Sequence, residues 1–109
     1  MVLSRLRFAA FTLLASAMAC GTASEPVTPI SMETSMALYG QKCALCHGHD
    51  GKLGASRAPD LTQSQMGYEE RVRIIQYGKG LMPPQGAILS AEEIAGIALY
   101  LNTFTTIDD

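Results

Sequence analysis

The sequence predicts an all-helical domain of about three main helices. Apolar residues recur at helical spacing in three separate segments, and residues that start or stop helices stand at their ends. Between the segments, runs rich in glycine and proline break the periodicity.

The chain opens with a segment that is not part of this domain. Arg5 and Arg7 precede an uncharged apolar run over 8–19, the pattern of a secretory signal peptide. Its twelve residues are too few to span a hydrocarbon core of roughly 30 Å. Ala17-Met18-Ala19 followed by Cys20-Gly21 resembles a bacterial lipoprotein box, although Ala17 stands where leucine is most often found. Two outcomes stay open. Cys20 becomes a lipid-bearing N-terminus held on the periplasmic side of a membrane, or an ordinary peptidase releases a soluble periplasmic protein. Residues 20–33 are small, polar and interrupted by Pro26 and Pro29, so they read as a flexible tether.

Residues 34–109 remain as one domain. A chain this short buries little apolar surface unaided and needs a staple. The first helix is expected over 34–46, with Met36, Tyr39, Cys43 and Cys46 sharing a side. Gly48, Gly51 and Gly54 then break the chain. A second helix is expected between Gly67, a tolerable N-cap with Glu70 three residues on, and Gly78 as its stop, with Val72, Ile74 and Ile75 turned inward. The third opens with a capping box, Ser90 with Glu93, and carries Ile94, Ile97, Ala98, Leu101 and Phe104. Gly96 in its middle costs about 1 kcal/mol against alanine, which makes sense if the first helix crosses closely there.

Chemistry enters with Cys43-Ala44-Leu45-Cys46-His47. A structural zinc site wants a second ligand pair, and only Cys20 and His49 are left over. A dithiol oxidoreductase wants a strand before the motif and a helix after it, whereas helical residues precede this one and glycine follows. On one helical turn two thiols can instead be alkylated by the two vinyl groups of a haem, with the adjacent imidazole reaching the iron. One covalently attached haem c is the expected cofactor, and it supplies the missing staple.

The second iron position has several candidates. His49 lies two residues from His47, so its short tether cannot carry it to the far face, and a solvated loop histidine is the expected role. Met32 lies in the tether, Met36 on the first helix, and Met66 before the second. Met82 stands in Gly78-Lys79-Gly80-Leu81-Met82-Pro83-Pro84, where glycines bend the chain and prolines stiffen it around a thioether. That loop favours iron ligation over the gap-filling core role common for methionine.

With Arg5 and Arg7 removed, six basic residues face ten acidic ones, a formal charge of −4. Such a surface is a poor match for nucleic acid. Lys42 and Lys79 form a small positive rim near the expected cofactor, and Arg57 either meets a haem propionate or stays solvated.

Across 39–101 the chain resembles the small class I cytochromes c of bacteria, especially short monohaem carriers akin to cytochrome c6. The marks are Tyr39 four residues before Cys43, the attachment site itself, Ala58-Pro59-Asp60-Leu61, the loop around Met82, and Tyr100-Leu101. The resemblance implies the class I cytochrome c fold, wrapped around one haem, with the Pro59 carbonyl on the outer nitrogen of His47. It also implies that Tyr39 and Tyr100 pack where the terminal helices meet. With His47 and Met82 on the iron the site is closed, which points to a one-electron carrier and away from turnover of a small substrate. The alternatives are a haem subunit of a larger respiratory or dehydrogenase complex, and an open-site enzyme such as a peroxidase. Partners are then redox proteins, with membrane contact through lipid on Cys20, and the protein is a monomer or a complex subunit.

Overall fold

The computed structural model describes residue 21 and residues 24–105, so the expected signal segment and Cys20 lie outside the described residues. Among the described residues there are helices and turns but no strand, apart from an isolated antiparallel bridge between Lys79 and Met82. No helix there is long and apolar enough to cross a membrane.

Helix α1 spans Met32–Lys42 and starts two residues earlier than its periodicity indicates. Ser31 is the reason: its hydroxyl accepts from the Thr34 N–H at 3.2 Å and satisfies an orphan donor of the first turn. The expected continuous helix to Cys46 is bent at Cys43, and α2 covers Ala44–His47. The turn is distorted and still bonded, since the Cys43 N–H donates to Tyr39 and the His47 N–H to Cys43, at 2.9 and 3.0 Å. The face α1 buries also differs from the expected one. Ser35 and Tyr39 point inward, and Met36 is exposed.

Helix α3 covers Tyr68–Tyr77 between Gly67 and Gly78, and α4 covers Ala91–Tyr100 behind an intact capping box of Ser90 and Glu93. Leu101 then turns the chain into a short α5, Asn102–Thr105. The helix expected to run through Phe104 is therefore two pieces. Helix α4 is the centre of the domain: α1 and α3 both pack on it, and Ile94, Ala95, Ile97 and Ala98 are buried there.

The crossing of α1 and α4 is as close as Gly96 suggested. A Cβ at that position would overlap Ser35 Oγ. The end of the stretch read as a tether also joins the body, because the Ile30 N–H donates to the Glu92 carbonyl at 3.2 Å and its side chain lies over Gly96. Tyr39, Tyr100 and Phe104 form a ring cluster with centroids 5.2 to 5.4 Å apart, tilted or edge-on as their quadrupoles favour. This closes the domain where the helical ends meet.

Candidate haem site

The bend at Cys43 decides how the motif is presented. Cys43 and Cys46 are free thiols, each half-buried, on either side of the start of α2. Cys43 packs against the core formed by Tyr39, Ala44, Ile75, Leu89, Ile94, Ile97 and Ala98. Burial pushes its thiol up to about 11, so unless it is alkylated this sulfur stays protonated at neutral pH.

His47, the last residue of α2, is buried at 7 % exposure. Its Nδ1 lies 3.3 Å from the Pro59 carbonyl oxygen. A carbonyl only accepts, so Nδ1 carries the proton and donates, and the lone pair is left on Nε2. Pro59 is held there by an uncommon loop. Ser56 and Arg57 both adopt positive φ, 52° and 62°, a conformation that costs non-glycine residues roughly 1–2 kcal/mol each. Arg57 is exposed.

Met82 is half-buried and packs against the same core as Cys43. Its backbone closes on Lys79 in both directions, with Lys79 N–H to Met82 O at 3.1 Å and Met82 N–H to Lys79 O at 3.0 Å. Gly78 makes the loop possible: its φ is +76°, and a Cβ there would come within 2.5 Å of the Met82 carbonyl oxygen. His49 is exposed, with its ring over Gly40 of α1. Lys42 and Lys79 are both exposed.

Sequence reasoning missed three supporting groups. The Tyr39 hydroxyl donates to the Gly48 carbonyl at 2.7 Å and fixes the turn that follows His47. Ser35 Oγ donates to the Ser31 carbonyl at 2.8 Å, which lets a hydroxyl sit fully buried under α4. Arg71, 6 % exposed, donates from Nη1 to Asn102 Oδ1 and ties α3 to α5. Its position four residues before Ile75, on the same helical face, was the available signal.

These residues fit a haem. Two free thiols and an imidazole with a vacant Nε2 stand on one bent turn, and Leu45, Leu53, Tyr77, Leu81 and Ile88 are exposed in the segments that carry or flank the site residues. A cleft of about 570 Å³ elsewhere, between residues 24–27 and α3–α4, has none of the five site residues in its lining.

Comparison with known proteins agrees with this chemistry. The family model described as cytochrome C oxidase, cbb3-type, subunit III matches residues 31–101. The chain is also 35 % identical over 83 residues to quinohemoprotein alcohol dehydrogenase ADH IIB of Pseudomonas putida, a match covering 71 % of this chain and 12 % of that relative. The chain thus corresponds to about an eighth of the larger protein.

Proposed function

The chain belongs to the cytochrome c oxidase, cbb3-type, subunit III family, a family of c-type cytochrome domains that bind covalent haem c, and from that we propose a one-electron carrier with a closed, two-sided iron site. Cys43 and Cys46 would hold the haem through thioethers, and His47 Nε2 and the Met82 thioether would ligate its iron. The bound haem supplies a single reversible electron. The residues of this chain set its ease of loss. The Pro59 carbonyl orients His47 and makes its imidazole more basic, while a soft sulfur ligand favours the reduced state and raises the potential.

The observation that carries this reading is the bond from His47 to Pro59 within one turn of two free thiols. A redox-poised absorption spectrum of the purified mature protein tests it. A low-spin spectrum in both states, with a weak near-infrared band from sulfur ligation when oxidised, supports it; a high-spin spectrum that shifts on adding carbon monoxide supports an open-site enzyme instead.

The family and the relative favour a second reading, in which the domain is the haem subunit of a dehydrogenase or oxidase complex. Copurification of further subunits from detergent-solubilised membranes separates it from a diffusing carrier. In either case we place the protein on the periplasmic side, exported by residues 1–19 and held by lipid on Cys20.

A further inference from the structure

Helix α2 is a single turn of four residues, Ala44–His47, and a helix that short has no stability of its own. Its angle to α1 is therefore set by what holds its two ends, and at both ends that residue is Tyr39. The Tyr39 carbonyl accepts from the Cys43 N–H at 2.9 Å, just before α2, and the Tyr39 hydroxyl donates to the Gly48 carbonyl at 2.7 Å, just after it. Among the described residues the second is the only hydrogen bond from α1 to the chain beyond His47. Tyr39 is itself held fast: it is 1 % exposed, and its ring centroid lies 5.3 and 5.2 Å from those of Tyr100 and Phe104. A phenylalanine would fill that ring cluster without burying a hydroxyl, so packing alone does not call for tyrosine.

We propose that Tyr39 is a positioning residue for the iron ligand His47: it sets the angle of α2 on α1, and so the direction in which the imidazole presents Nε2. The proposal rests on the reading of His47 as that ligand. The imidazole has a second guide in the Pro59 carbonyl. At 3.3 Å that bond is already longer than the usual N–H···O range of roughly 2.7–3.2 Å, so a small rotation of α2 breaks it. Losing it makes the imidazole a less basic ligand, which stabilises the oxidised iron less and raises the potential. The hydroxyl of a core tyrosine thus bears on the electron's affinity for the site through the backbone of one helical turn.

The test compares the haem-loaded wild type with Tyr39→Phe and with Asn102→Ala, which loosens the tie between α3 and α5 and leaves the motif intact. Proton NMR of the oxidised proteins gives the haem-methyl shifts, whose spread follows the orientation of the iron's ligands, and a redox titration gives the midpoint potential. Tyr39→Phe changes the methyl spread and raises the potential by at least a twofold change in the redox equilibrium constant, ~18 mV at ~59 mV per decade, while Asn102→Ala matches the wild type in both. A wild-type spread and potential in Tyr39→Phe overturn the proposal and leave the hydroxyl a purely structural role. Asn102→Ala moving both as far as Tyr39→Phe also overturns it, since the effect then follows stability and not position. Absence of strongly shifted His47 ring protons from the reduced wild-type spectrum removes His47 as the ligand and the proposal with it, whereas their presence beside an unchanged Tyr39→Phe removes the proposal alone.

Discussion

Ile30 lies against Gly96, so that a Cβ built on the glycine would stand 2.5 Å from Ile30 Cγ1 while also overlapping Ser35 Oγ. Alanine is the better helix former by about 1 kcal/mol, and in an open helix Gly96→Ala would stabilise. Here overpacking opposes it with about 1–3 kcal/mol, and the second effect wins. Gly96→Ala should lower the denaturant midpoint of the haem-loaded protein. A raised midpoint would mean that the segment before α1 is not seated as described.

Asn102 is the described partner of a buried guanidinium. Asn102→Ala leaves a charged donor without its acceptor and should cost about 1–3 kcal/mol. Arg71→Met in that background removes the stranded charge and should recover part of the loss. Equilibrium unfolding of the four proteins of this cycle measures the coupling.

Alkaline stability depends on Tyr39. Burial above all, and secondarily the negative charge of Tyr100 and Asp50 when ionised, push its hydroxyl well above its ordinary value near 10, whereas Cys43 carries no charge once it is bound as a thioether. The unfolded chain therefore releases this proton first as pH rises. The stabilisation is complete below about pH 10 and is lost as pH climbs toward the folded value. Tyr39→Phe also unpairs the Gly48 carbonyl, so it should cost about 1 kcal/mol at neutral pH and flatten the alkaline decline. Unfolding curves across pH 7–12 check both effects.

Met82→Ala should lower the midpoint potential and open the iron to carbon monoxide. Its spectrum, potential and carbon monoxide difference spectrum are read together. If all three match the wild type, Met82 is not the ligand.

Cys20→Ser should move the protein from the membrane fraction to the soluble periplasm and leave its absorption spectrum unchanged. Identical fractionation of the two forms would disprove the lipid anchor.

Much of the fold was legible because its signals are local. Ser90 and Glu93 announce α4, Gly67 and Gly78 bracket α3, and each reports a backbone need met within a few residues. Ser31 does the same for α1, although its signal stands beside the prolines of the expected tether. The inward roles of Ser35 and Arg71 were hidden for another reason. A buried hydroxyl or guanidinium is tolerated only through its partner, and the Ser31 carbonyl and Asn102 are brought into place by the fold. At the site, the five residues Cys43, Ala44, Leu45, Cys46 and His47 carry the attachment chemistry outright, whereas the contact from His47 to Pro59 spans twelve residues and became legible only through resemblance. The left-handed Ser56 and Arg57 had no signal, since neither type favours that conformation.

The closed turn from Lys79 to Met82 bears on speed as well as on affinity. A thioether borne on a free coil could drift off the metal by ordinary chain motion in nanoseconds. With both main-chain bonds of the turn made and Gly78 crowded beneath it, the backbone leaves only as a unit, a rare event on a much longer clock. On the proposal that Met82 ligates the iron, a turn held this way would keep the sulfur in place in both oxidation states, and electron transfer would then demand little nuclear rearrangement.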